Sequence, residues 1–182
     1  MTARPDFRAH WPRRVLVADG AMGTMLQAAA LSEADYDGAE GCAEILNLTR
    51  PDLVRSIHAA YLDAGADLVE TNTFGANLTA LQEYGLAGRI GELALAGARL
   101  ARAAADAASN SQKPRFVLGS LGPGTKLPTL GQAAYADLRD SYETAAQGLI
   151  AGGVDAILIE TCQDLLQAKA AVAGARRARA AV

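Results

Sequence analysis

Cysteine is nearly missing from this sequence. Cys42 and Cys162 are its only thiols, too few for a disulfide framework and without the CxxC spacing of a metal or redox site. Histidine is as scarce, with His10 and His58 scattered away from both thiols, so no metal-ligand set is legible. Aromatic residues make up 5% of the chain while alanine abounds, which favours helices packed closely on a sheet over an all-β domain. Long apolar stretches are lacking too: no run reaches the ~18 residues of a spanning helix. The first fourteen residues, MTARPDFRAHWPRR, are charged and contain no secretion-type apolar core. Positive charge is not in excess either, the formal net charge being −3, which removes the electrostatic case for nucleic acid or an anionic membrane surface as partner. These absences lead to the expectation of a cytoplasmic protein that handles a small polar ligand.

What is present is 182 residues, 51% of them hydrophobic, enough for one domain that buries roughly 70% of its unfolded surface. Four short apolar runs rich in β-branched residues are the candidate strands: VLVA at 15–18, DLVE at 67–70, RFVLG at 115–119 and DAILIE at 155–160. They are continuous rather than alternating, as in a parallel sheet covered on both faces. Helical patterns lie between them. Thr49 is the expected cap of a helix burying Leu53, Ile57, Ala60 and Tyr61, and Asn77 the cap of the next one. A helix over 89–108 turns Ile90, Leu93, Ala94, Gly97 and Ala98 inward and Arg99 and Arg102 outward. Another, from Tyr135, buries Leu138, Tyr142, Ala145 and Leu149 until Gly152-Gly153, and the last starts at Asp164 and ends in a solvated basic turn. Four βα units result, fitting either a doubly wound sheet or part of a (β/α)8 barrel.

In both architectures ligands bind at the carboxyl ends of the strands. There the sequence sets Asp19-Gly20, Glu70-Thr71-Asn72, Ser120 and Glu160-Thr161. Asp19, Glu70 and Glu160 would converge on one rim, and clustered like charges are costly unless a cation compensates them. GADLVET and GVDAILIET look like one motif used twice. The glycine-rich GSLGPGTKLPTLG lacks the order of a phosphate loop, and Asp19 beside the DGAMGT turn would repel a phosphate. Close approach of backbone to an amino acid is the better use of Gly20 and Gly23. His58 is expected to be a structural or surface histidine, and Cys162, near the rim, lacks the neighbouring base of a catalytic thiol.

VLVADGAMGTMLQ, GADLVETNTFGAN, GSLGPGTKLPTLG and GGVDAILIETCQD, in this order, closely resemble the homocysteine-binding module of the homocysteine S-methyltransferase family, in the form found in cobalamin-dependent methionine synthases. The resemblance runs from about residue 14 to the end and implies the first half of a (β/α)8 TIM barrel over 15–182, preceded by an extension at 1–14. It implies methyl transfer to the homocysteine thiol, with Asp19 and Glu160 facing the ammonium, Gly20 and Ala21 offering N–H groups and Ser120 a hydroxyl to the carboxylate. Thr71 and Asn72 would form the floor, with Thr161 beside Glu160. The family's zinc, held by three cysteines of later strands, and its methylcobalamin are implied only for a longer protein, and no cofactor is expected to bind this chain alone. Implied partners are homocysteine, the missing half-barrel and downstream folate and cobalamin modules. A homodimer through open sheet edges is a further expectation. The competing expectation is a non-catalytic half-barrel that binds an amino acid or another protein.

Overall fold

The computed structural model of the chain describes residues 6–181, so part of the expected extension at 1–14 lies outside the described residues. In chain order the elements are α1 (Phe7–His10), α2 (Met22–Ala28), α3 (Leu46–Thr49), α4 (Pro51–Asp63), β1 (Leu68–Glu70), α5 (Leu78–Gln82), α6 (Ile90–Ala108), β2 (Phe116–Leu121), α7 (Tyr135–Gly152), β3 (Ala156–Ile159) and α8 (Leu165–Ala180). The strands form a parallel sheet in the order β1-β2-β3. Alternating strand and helix with parallel pairing is the arrangement of a partial (β/α)8 barrel.

The expected first strand is reduced. Residues 15–18 contribute one parallel bridge, Ala18 to Leu68, and the carbonyl of Val17 accepts the N–H groups of Asp67 and Leu68. Val15 and Val17 remain 86% and 58% exposed. With nothing beyond it to pair with among the described residues, this segment follows β1 without extending the ladder. β3, at the other edge, is only half-buried along its whole length, so the expectation that both strand faces are covered fails there. A hollow of about 670 Å3 runs along it, lined by Ile157, Ile159, Val172 and Arg176.

Helix–sheet packing follows period 2. Val69 and Val117 turn outward into a cluster with Leu62, Ala101 and Ala105. A Cβ at Gly119 would come within 2.9 Å of Leu149 on α7, so glycine lets that helix approach β2. Alternation then leaves Leu68 and Glu70, Leu118 and Ser120, and Leu158 and Glu160 on the inner face.

The helices match their patterns with four exceptions. α4 starts at Pro51, pre-set for the first helical position, and has no side-chain cap; the Thr49 hydroxyl instead donates back to the Ile45 carbonyl. Its buried stripe is Val54, Ile57, His58 and Leu62, whereas Ala60 is exposed. Arg102 is not outward: it is 11% exposed and pairs with Asp155 at 2.8 Å. The basic end of α8 is partnered rather than merely solvated, Arg177 reaching Asp140 and Glu143 at 3.0 Å. Asn77 and Asp164 do cap α5 and α8. His58 is fully buried and neither ring nitrogen has a partner; burial pushes it down to about 4, so it is neutral.

Candidate functional site

At the carboxyl ends of the strands lies a cavity of about 630 Å3. Asp19, Glu70 and Glu160 all line it, together with Gly20, Ala21, Thr71, Asn72 and Ser120. No Lys, Arg or His belongs to its wall among the described residues. Period 2 explains the convergence, because Glu70, Ser120 and Glu160 share the inner face and Asp19 follows the bridge to β1.

Each carboxylate is held differently. Both Asp19 oxygens accept the Glu70 N–H at 3.1 Å, which closes residues 18–19 onto β1. Burial, only partly offset by that hydrogen bond, pushes Asp19 up to about 7, and the Glu70 and Glu160 charges add to the rise. Glu70 is raised by burial and then by Glu160. Glu160 Oε1 accepts the Ser120 hydroxyl at 2.5 Å. The rim is thus an uncompensated acidic site that gains from any cationic group placed inside it.

The floor is a closed hydrogen-bond network. The Thr73 hydroxyl donates to the Ser120 carbonyl at 2.8 Å, so its 2.6 Å contact with Thr71 has Thr71 as the donor. Thr71 Oγ1 in turn accepts the Ser120 N–H at 3.0 Å. Asn72 donates to the Ala43 carbonyl and to Asn47 Oδ1, while Asn47 donates back to the Asn72 carbonyl. Thr71 and Asn72, both almost fully buried, therefore shape the floor with side chains already engaged.

Thr161 does not repeat the part of Thr71. It is exposed, has φ 56° and is absent from the cavity wall. The two Glu-Thr motifs diverge because β1 is followed by a buried turn, whereas the chain after β3 swings outward in a left-handed turn to reach the Asp164 cap. Gly20 has a second reason to be glycine: a Cβ there would sit 3.0 Å from the Tyr61 ring, whose hydroxyl donates to the Ala21 carbonyl. Gly23 lines the cavity as well, with no protein atom within 4 Å of a Cβ built there.

Glu44, Phe74, Gly75 and Tyr84 also line the wall and were not legible as site residues. Glu44 lies between strands in a long connection, and only the fold brings it to the rim. Neither thiol is activated. Cys42 is raised to about 11 by burial and by Glu44, and Cys162 is raised by burial and by Glu160 and Asp164. Among the described residues no group of three or more His, Cys, Asp or Glu is placed to hold a metal, so no step is assigned to a metal held by these residues. No helix of the described residues is long and apolar enough to cross a membrane.

Known proteins share this frame. Residues 16–182 match the family model of homocysteine S-methyltransferase. Methionine synthase of Mycobacterium tuberculosis is 60% identical over 166 residues, covering 91% of this chain and 14% of that protein. Methionine synthase of Mycobacterium leprae is 57% identical over the same length. The chain thus spans about a seventh of the length of these curated relatives, 14% in each. Among solved structures, the metallated form of the homocysteine methyltransferase MmuM from Escherichia coli superposes with TM-score 0.74 at 24% identity, over 97% of this chain and 64% of that one. Its apo form gives 0.69. These structural likenesses establish the fold, and the match over nearly the whole sequence establishes the kinship: the chain belongs to the homocysteine S-methyltransferase family.

Proposed function

We propose that the cavity binds homocysteine and that the chain is the substrate-binding portion of a methionine synthase-type homocysteine S-methyltransferase, which transfers a methyl group to the homocysteine thiol. One observation carries this: Asp19, Glu70 and Glu160 meet at one rim in a cavity that, among the described residues, has no cation in its wall. An α-ammonium supplies the missing charge, and each such pair is worth ~4 kcal/mol of raw Coulomb energy at an effective dielectric of 20, before desolvation. Asp19 and Glu160 take the ammonium. Gly20, Ala21 and Ser120 address the carboxylate, Thr71 and Asn72 hold the floor in shape, and Thr161 acts at most through Glu160.

A thiol of ordinary pKa near ~8.5 is mostly protonated at neutral pH. The zinc that would bind it as thiolate and the methylcobalamin that would supply the methyl group are assigned to the longer protein, and this chain's own residues bind and orient the amino-acid end. Residues 15–182 are then one part of a barrel and 1–14 an extension. The partners are the remaining half-barrel and folate- and cobalamin-binding modules, with a homodimer through the open edges when the chain is alone, in the cytoplasm and without nucleic acid or membrane. The half-buried β3 supports the edge pairing.

Calorimetric titration of L-homocysteine into the chain tests the site. Saturable binding that weakens at least about tenfold in both Asp19→Asn and Glu160→Gln, with melting temperatures at or above the parent's, is the expected result. Undiminished affinity in both variants would refute the assignment. Light scattering tests the edges: a monodisperse particle near the 18.8 kDa of one chain would exclude the dimer.

A further inference from the structure

One carboxylate of the cavity wall neither lies at a strand end nor follows a strand bridge. Glu44 is 7% exposed, sits in the turn Ala43–Ile45 ahead of α3, and is used from within the protein. Its Oε1 accepts the Gly75 N–H at 2.6 Å and its Oε2 the Cys42 thiol at 3.5 Å. Burying a carboxylate is expensive unless its hydrogen bonds recover part of the desolvation, so the Gly75 contact is the reason this group is tolerated there. The fit is close, as a Cβ on Gly75 would lie 2.9 Å from Oε1.

The Gly75 peptide belongs to a compact turn. Thr73 N–H bonds to the Thr71 carbonyl, Ala76 N–H to Thr73 and Asn77 N–H to Gly75, at 2.8, 3.0 and 2.7 Å. The same turn presents Asn72 and Phe74 to the cavity. Its far side is seated on the exit of β2, where the Gly122 N–H bonds to the Phe74 carbonyl at 3.0 Å and the ring leaves no room for a Cβ at Gly122. Glu44 is therefore the near anchor of a segment whose other anchor is the sheet.

We propose that Glu44 is a positioning residue of the binding cavity: by holding the Gly75 N–H it keeps the 72–75 turn, and with it Asn72 and Phe74, in ligand-ready geometry, and it does not itself meet the ligand's ammonium. The inference rests on the assignment of this cavity as the homocysteine site. It separates Glu44 from Asp19 and Glu160, which act through charge. A neutral acceptor at position 44 serves as well as a carboxylate.

The test compares the full chain with Glu44→Gln, Glu44→Ala and Asp19→Asn by L-homocysteine titration and by amide hydrogen exchange at Gly75. Glu44→Ala is expected to weaken binding about tenfold and to unprotect the Gly75 amide. Glu44→Gln, whose carbonyl still accepts the N–H, recovers protection and affinity to within about threefold. A Gln variant as weak as Ala while Gly75 stays protected would overturn the inference in favour of a charge role and leave the site assignment standing. No binding by the parent chain, or none of the expected loss in Asp19→Asn, would overturn the site assignment and this inference with it. Should Glu44→Ala not fold, Gly75→Ala presses on the same contact from the other side; the same weakening is expected, and parental affinity would overturn the proposal.

Discussion

At the amino end of the sheet, Asp67 and Asp155 precede β1 and β3, and each accepts a backbone N–H of the neighbouring segment, from Val17 at 3.0 Å and Val117 at 2.7 Å. Each also has an arginine, Arg14 for Asp67 and Arg102 for Asp155. At the carboxyl end, Asp19 and Glu160 have hydrogen bonds, but among the described residues no cation joins them and Glu70 in the cavity wall. Asp67 is accordingly lowered, chiefly by its hydrogen bonds with Arg14, whereas Asp19 and Glu70 are raised, chiefly by burial. The same chemical group thus stabilises the fold at one end, where its charge is satisfied, and is left uncompensated at the other, where no cation is near among the described residues.

The sharpest way to break this contrast is Asp155→Ala. It removes the buried partner of Arg102, which keeps only the exposed Asp106 at 2.8 Å and the Arg115 carbonyl, and takes the acceptor from the Val117 N–H, so a loss of about 2–4 kcal/mol is expected in denaturant unfolding. A loss under about 1 kcal/mol would show that the amino-end row is not structural.

Asp19→Asn should act in the opposite direction and with a pH signature. A carboxyl whose folded pKa is raised to about 7 contributes stability that is present below its unfolded pKa near ~3.9 and is lost as pH rises through 7. Asn keeps an acceptor for the Glu70 N–H. The ligand-free variant is therefore expected to match the parent near pH 4 and to exceed it by on the order of 2 kcal/mol at pH 8, after allowance for the solvent Asp19 still sees. Thermal melts at the two pH values check this, and a variant less stable than its parent at pH 8 would place Asp19 with the structural row.

The smallest effect is expected at Arg14, whose side chain is 44% exposed while its partner Asp67 is 5% exposed. Asp67 keeps the Val17 N–H when the guanidinium is removed. Arg14→Ala should lower the denaturant midpoint, at constant slope, by less than either of the other two changes shifts stability, and high salt should shrink the difference because the guanidinium faces solvent.

Much of the helical frame could be read directly, because α6, α7 and α8 carry their own periodicity, stops and caps. Leu138, Tyr142, Ala145 and Leu149 are buried as the 3.6-residue repeat requires, and Asn77 and Asp164 cap because a short polar side chain can reach the free N–H groups of a first helical turn. Residues 15–18 escaped that logic. A strand's existence depends on what lies beside it, and these residues have the composition of a strand without a second neighbour among the described residues. Arg102 escaped it too, since an arginine on a helix face is indistinguishable by pattern from one that finds Asp155 across the fold.

For the site, alternation along a strand and the position of a carboxylate at its exit were enough to single out Asp19, Glu70 and Glu160, since both are local properties of the backbone. Whether a rim group faces the cavity or solvent is not local. Thr71 and Thr161 follow the same Glu in the same motif, yet one is tied into the Ser120 network and the other is exposed in a left-handed turn. Glu44 lies in a connection with no period at all, and it enters the cavity wall only because the fold brings the turn before α3 against the Gly75 peptide. Sequence by itself determined the long helices, the carboxylates of the rim and the family likeness, because propensity, period and motif are written along the chain. Tertiary structure alone decided which carboxylates are compensated by an arginine and which are left without a cation, because a charge is compensated by whatever is near in space, however distant in sequence.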